Sequence, residues 1–412
     1  MEKHLGYSPS LLKICGVYGM WIGIFLSLSL GQITRFDFRA PDTNGAALDV
    51  LLVLFIPIAV LVIGRNKFRW GRLPFVKPAL VWLFLLHLSL LVNASRFGWH
   101  ETGVAYLYIA RVVGVFALFV VGFWGVDVFG NFQDFLRRGL LYSTIFVSIT
   151  GLIQYLVYPD IRSLVAFGWD PHLFRLVGVF LDPAFAGLIL LLGMVITWVY
   201  ISESRGKFRH PPVVIFFLTF AAFLLTYSRS SYTAFIGSAL VASLIKKNWR
   251  YLGGAVVVLA LGILLLPKRD SVGTKLQRNE TVWARVESYK RAALVYWDNP
   301  ILGVGFNSYR YEQLQRGWLK NENFASHSGA GVDSSILFLL ATTGSAGGIG
   351  FLWFVFSLAK YFKQTGNFMA QVSLAGVLIH SLFVNSLFLP SAMVWLAVLT
   401  VLGSKKEAGF RG

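Results

Sequence analysis

Only one cysteine, Cys15, occurs in 412 residues, so no disulfide can close a loop within this chain. The seven histidines show no paired Cys/His spacing of the kind that ligates a metal. Charge is scarce as well. Asp, Glu, Lys and Arg together make up 14% of the residues, against about 25% in soluble domains, and that deficit excludes an ordinary solvated globule. Acids are the scarcer sign, 19 against 37 Lys and Arg, which leaves a formal net charge of +18. No low-complexity segment and no internal repeat interrupts the pattern.

Apolar residues are abundant, 56% of the chain, with a mean hydropathy of +0.65. They gather into twelve stretches, near 11–32, 47–64, 78–94, 104–129, 139–158, 184–201, 212–227, 231–245, 251–267, 333–359, 368–389 and 391–403. A hydrocarbon core about 30 Å thick needs roughly 20 helical residues to cross, and most of the stretches approach that length. The expected fold is therefore an all-α integral membrane protein of about twelve transmembrane helices. The eighth and last stretches are short. The first could pass for a signal peptide, but it lacks a small-residue cleavage site and many more spans follow, so a retained helix is expected.

The basic excess is distributed in a way that argues against nucleic acid. Lys and Arg collect in alternate connections: Arg65 to Lys77, Arg137 and Arg138, Arg205 to Arg209, Lys246 to Arg250, Lys360 and Lys363, and Lys405 and Lys406. The intervening connections hold fewer cations and pair them with acids, as in Arg35, Asp37, Arg39 and Asp42. By the positive-inside rule both termini are cytoplasmic and the long polar interruption 267–332 faces outward. The excess cations meet anionic lipid headgroups.

That outer loop has its own organisation. Val282, Trp283, Val286, Tyr289, Ala293, Tyr296 and Trp297 recur at three- and four-residue steps, which predicts an amphipathic helix over 280–297. Such a helix could simply rest among headgroups. Asp298-Asn299-Pro300 ends it, and two glycines, Gly303 and Gly305, permit a tight turn beyond.

Three arginines stand near the outer boundary: Arg175 in an apolar, re-entrant-looking segment, Arg229 between the seventh and eighth stretches, and Arg285 on the loop helix. Each could be a boundary anchor. Guanidinium is also the side chain best shaped to grip phosphate oxygens in pairs, and several together suit a lipid-borne diphosphate. Arg111 falls within the fourth stretch, where a buried carbonyl could serve as its structural partner. His327 and Asp333 precede the tenth stretch. His327 is either a solvated loop residue or a proton acceptor, and Asp333 is either a helix N-cap or a partner or substitute for that base.

Taken in order, Arg175-x-x-Gly178 with Asp182-Pro183, Ser228-Arg229, Arg285, Asn299-Pro-Ile-Leu-Gly303-Val-Gly305 and Thr342-Thr-Gly344-Ser-Ala-Gly347 resemble the O-antigen ligase and polymerase superfamily over roughly 175–350. The resemblance implies a GT-C-like fold whose long extracytoplasmic loop carries amphipathic helices. It implies N-terminal transmembrane helices over 1–172, an O-antigen ligase-like catalytic region over 173–403 with its outer loop at 267–332, and a cytoplasmic tail at 404–412. It further implies an envelope glycosyltransferase in the bacterial inner membrane, working at the outer face without metal or cofactor. The donor would be an undecaprenyl-diphosphate-linked glycan. The acceptor would be lipid A-core or another lipid-linked glycan. Arg175, Arg229 and Arg285 would bind the diphosphate, and His327 and Asp333 would be catalytic. In the ligase branch a histidine lies eleven positions before a glycine at this span; counting back from Gly344 reaches Asp333 instead. Either Asp333 takes that role or His327 reaches the site by another route. A transporter of lipid-linked oligosaccharide is the alternative, although such proteins usually show repeat symmetry between halves.

The charge bias generates a direct test. In a Cys15→Ala background, Lys320→Cys should react with an impermeant thiol reagent added to intact spheroplasts, whereas labelling only after membrane rupture would invert the topology.

Overall fold

The computed structural model describes residues 11–37, 44–66, 73–204, 210–269, 271–276, 280–320 and 331–404. Each of the twelve apolar stretches contains a helix: α1 (Leu11–Leu30), α2 (Ala47–Asn66), α3 (Val76–Val92), α5 (Trp99–Val128), α6 (Phe132–Val157), α7 (Pro183–Glu203), α8 (His210–Leu224), α9 (Arg229–Lys246), α10 (Arg250–Leu264), α13 (Ser335–Thr365), α14 (Phe368–Ser381) and α15 (Pro390–Leu402). A single turn, α4 (Ala94–Phe97), links α3 to α5. The long loop after α10 holds α11 (Glu280–Asp298), as its periodicity predicts, and a short α12 (Tyr309–Gln315) that the sequence pattern did not reveal. Two three-residue strands, β1 (Arg35–Asp37) and β2 (Asn44–Ala46), pair antiparallel with Arg35 opposite Ala46.

Among the described residues, seven helices are long and apolar enough to cross a membrane: those beginning near Gly16, Ala47, Val76, Trp99, Phe132, Pro183 and Ser335. Four shorter apolar helices, α8, α10, α14 and α15, complete the bundle with α9. The chain is a multi-pass membrane protein. Its exterior agrees, because Leu26, Val60, Leu80, Phe84 and Phe356 all present apolar side chains outward, where lipid can cover them. The interior is close-packed around Trp21, which meets Phe55 and Phe132 edge-on, and around Trp82, which stacks on Phe354.

Several helices stop earlier than the apolar runs. α8 ends at Leu224 and Tyr227 adopts φ 48°. α14 ends at Ser381, and an irregular stretch then runs to Leu389, the residue before the N1 proline Pro390 of α15. The segment 158–182 forms no α-helix, only two short 3-10 helices at Arg162–Phe167 and Gly178–Phe180, yet Leu176, Val177, Val179 and Phe180 are fully buried in it. Gln154 of α6 supports that backbone, its Oε1 accepting from the amides of Val177 and Gly178. Irregular backbone inside a membrane bundle is tolerated only when protein supplies such partners.

The most consequential irregularity breaks α13. Gly344 has φ 63° and ψ −166°, and the loop 300–305 plugs into the gap. The amides of Val304 and Gly305 donate to the carbonyls of Ala341 and Thr342, while those of Ser345 and Ala346 donate to Pro300 and Ile301. Ser89 of α3 seals the junction, its hydroxyl 2.7 Å from the Leu302 carbonyl and 2.8 Å from that of Thr342. A Cβ on Gly303 would sit 2.3 Å from the Thr342 carbonyl carbon, and one on Gly344 the same distance from that of Ile301.

Gly303→Ala or Gly344→Ala should therefore lose stability by well over the roughly 1 kcal/mol of an ordinary positive-φ replacement, because backbone must also move apart. Ser89→Ala should cost about 1–3 kcal/mol. Thermal unfolding in detergent checks the order; equal midpoints for all three variants and the parent would contradict it.

Candidate functional site

One end of the bundle collects ionisable side chains from distant parts of the chain. Arg175 is buried, its Nε donating to the Thr226 carbonyl at 3.0 Å and one Nη to the Tyr227 carbonyl at 3.3 Å. It thereby clamps the turn that ends α8 and presents Ser228 and Arg229. Ser228 caps α9 by accepting from the Ser231 amide, and Arg229 follows as the first helical residue. Arg229 is half-buried and donates to the Leu276 carbonyl at 3.2 Å. Arg285, on α11, is half-buried and close enough for its charge to act on Arg229, Asp182, Asp333 and His380. Two cations held together in protein repel, and an anion between them relieves that cost.

The three arginines predicted to act together share electrostatic neighbours. The charges of Arg175 and Arg285 both act on Asp182, and that of Arg285 acts on Arg229. Arg175 sits deeper than the other two and spends two of its donors on backbone. His327 lies outside the described residues.

Asp333 is exposed to a cavity at this end of the bundle. Its amide donates to the Ser288 hydroxyl at 3.2 Å and its carbonyl lies 3.2 Å from the Tyr289 hydroxyl, so α11 positions it through the backbone. The helix cap is Ser334, which accepts from the Leu337 amide, so Asp333 is left with an uncommitted carboxylate among the described residues. Surrounding protein raises its pKa, with Arg285 opposing and Asp182 reinforcing. Asp182 caps α7 through one oxygen, accepting from the Ala184 amide at 2.7 Å and the Phe185 amide at 2.8 Å. Burial raises its pKa too, against those two bonds and the Arg175 and Arg285 charges. Asp170 behaves alike: burial raises it, and the charges of Asp182 and Asp333 add to the shift.

These three carboxylates line a cavity of about 300 Å³ together with Arg35, Arg310, Trp169, Tyr108 and Asn385. A second chamber of about 200 Å³ shares Arg35, Tyr108, Arg310 and Asn385 and ends at Asp49 and Arg111. There Arg111 grips the Asp49 carboxylate with two bonds, of 2.6 and 3.1 Å, and lies over the Tyr108 ring. Its partner is a carboxylate, not the carbonyl that its place in the sequence admitted.

Sequence reasoning missed Asp170, Arg35, Arg310 and His380. Only Asp182 carried a local sign, since Asp followed by Pro marks a helix start. His380 is fully buried; its two ring nitrogens lie 3.3 Å from the Ser231 hydroxyl and 3.0 Å from that of Ser386. Among the described residues no three His, Cys, Asp or Glu side chains are grouped as a metal ion requires.

Residues 214–352 match the family described as O-antigen ligase, which supports the O-antigen ligase/polymerase superfamily for this chain. The matched stretch runs from α8 past the break in α13 and contains Arg229, Arg285 and Asp333, while Arg175 and Asp182 precede it. A comparison with curated proteins finds no match.

The geometry separates a clamping arginine from accessible ones. Arg175→Ala strands two buried carbonyls, each costing about 1–3 kcal/mol, so its unfolding temperature should drop and Arg175→Lys should recover it only in part. Arg229→Ala should unfold near the parent temperature. A drop for Arg229→Ala as large as for Arg175→Ala would make both arginines scaffold.

Proposed function

Starting from a membrane protein whose residues 214–352 form an O-antigen ligase domain, we propose that it transfers or polymerises glycan from an undecaprenyl-diphosphate-linked donor at the outer face of the bacterial inner membrane. The acceptor in this reading is lipid A-core or a second lipid-linked glycan. All twelve apolar helices cross the bilayer in a GT-C-like arrangement, with residues 1–172 as the N-terminal transmembrane helices, 173–403 as the catalytic region and 404–412 as a cytoplasmic tail.

The observation that carries this reading is that two half-buried guanidinium groups, Arg229 and Arg285, stand close enough for the Arg285 charge to act on Arg229 and on nearby Asp182 and Asp333. Arg229 and Arg285 hold the diphosphate, and Arg175 contributes its charge while fixing the Arg229 turn. As the bond between the anomeric carbon and the diphosphate oxygen breaks, the electron pair leaves with the diphosphate, whose added charge the arginines stabilise. The acceptor hydroxyl forms the new glycosidic bond and gives its proton to a base. Asp333 serves there with its raised pKa, since a base works best when its pKa approaches ambient pH. His327, six residues upstream, either takes that proton itself or orients the exchange. No metal is needed, because the cations supply the positive charge.

Charge-assisted hydrogen bonds contribute about 1.5–3 kcal/mol each. Arg229→Ala and Arg285→Ala should therefore lower transfer by about tenfold to a hundredfold or more at normal membrane abundance, and Lys should restore little because it lacks the fork. Asp333→Asn should keep donor binding and lose transfer. Because Asp333 must be ionised and its pKa is raised, transfer by the parent should fall on acidification with a midpoint above the ordinary value of about 4. Residual transfer by Arg285→Ala should fall at a still higher pH, because the Arg285 charge favours the ionised carboxylate. Full activity of Asp333→Asn, or an acid limb unmoved by Arg285→Ala, would remove Asp333 from the mechanism.

A further inference from the structure

The cavity beside Asp333 belongs to neither partner of the arginine pair. Neither Arg175, Arg229 nor Arg285 lines it, yet Asp182 and Asp333 do, and both carboxylates also feel Arg285. They line a half-open space of about 300 Å³ that shares Arg35, Tyr108, Arg310 and Asn385 with the second chamber. Its lining is mixed in charge, with Asp170, Asp182 and Asp333 against Arg35 and Arg310. A polyanion such as a second diphosphate would meet three carboxylates there, and an apolar tail would strand the polar groups. A neutral polyhydroxylated ring suits such a lining: its hydroxyls can donate to the carboxylates and accept from the arginines, and its C–H groups can meet the parts of the Trp169 and Tyr108 rings that Arg35 and Arg111, lying over one face of each, leave open. Asn385 adds a separate indication. It lines both chambers, and its Oδ1 is buried without a hydrogen-bond partner among the described residues. Buried carbonyl oxygens are nearly always satisfied, so a donor is missing at that point.

We propose that this two-chambered cavity binds the terminal sugars of the glycan acceptor, with Asp333 at its inner edge facing the reacting hydroxyl and the Asp49–Arg111 ion pair closing its far end. The proposal rests on the transfer reading above, and it assigns donor and acceptor to opposite sides of Asp182 and Asp333.

Two small probes separate the sides in the purified full-length protein in nanodiscs. Saturation-transfer NMR with N-acetylglucosamine and methyl α-glucoside reports the cavity, and pyrophosphate binding by calorimetry reports the arginines. Trp169→Ala and Asn385→Ala should each weaken binding of at least one sugar by about tenfold and leave pyrophosphate binding unchanged, which also shows the variants to be folded. Arg229→Ala should do the reverse. Sugar binding that is absent from the parent, indifferent to both cavity substitutions, or displaced competitively by pyrophosphate would overturn the acceptor cavity; the last result would mean that the donor's own sugar fills it. Failure of pyrophosphate to bind the parent, with cavity-dependent sugar binding intact, would instead strike the diphosphate reading and uphold a sugar site.

Discussion

A broken helix and a loop that completes it hold the site-bearing half of this protein together. At Gly344 the ladder of α13 is interrupted, leaving the carbonyls of Ala341 and Thr342 and the amides of Ser345 and Ala346 without helical partners. The turn from Pro300 to Gly305 supplies all four, and Ser89 and Asn93 bond what remains at Leu302, Thr342 and Gly303. Either half alone would bury unsatisfied backbone, at about 1–3 kcal/mol for each group. Loop and helix therefore order together. Because α11 runs directly into that turn, the register of the junction also sets where Arg285 stands relative to the start of α13.

From that junction the geometry of the site follows. Tyr296 of α11 meets Ser345 just beyond the break, at 2.8 Å, while Tyr289, about two turns earlier on the same helix face, lies between the carbonyls of Asp333 and Leu382. On the far side of the loop, Glu312 is buried between Arg96 of α4 and Arg316, so α12 is pinned to the α3–α5 connection by charge. These contacts replace the disulfides that the chain cannot make. They bring Arg285 near Asp182 and Asp333, two carboxylates in the wall of a cavity whose lining is mixed in charge. Arg285 is the cation whose charge acts on both of them.

Beneath the wall runs a buried polar chain. Ser386, His380, Ser231 and Ser228 follow one another at hydrogen-bonding distances of 3.0, 3.3 and 2.8 Å, ending at the cap of the helix that bears Arg229. It ties α14 and the irregular stretch after it to α9, and it satisfies polar groups that would be costly inside the bundle. The position of Arg229 is thus held from two directions, by the Arg175 clamp on the preceding turn and by this chain below.

Hydropathy alone located all twelve helices, and three- and four-residue spacing alone described α11, because those signals depend on which neighbours a residue has along the chain. The arginines were legible as residue type near a boundary, since a guanidinium there needs a reason. What the residues could not disclose was partnership. Arg175 spends two donors on carbonyls more than fifty residues away, Arg111 finds Asp49 on another helix, and Ser334 takes the cap that Asp333 might have filled. The cavity is less legible still: Asp170, Arg310 and Asn385 carry no local pattern and meet only when the bundle closes. Local periodicity determines which segments are helices and which face each buries. The crossing and breaking of those helices decides which charges meet, because that depends on contacts between residues hundreds of positions apart.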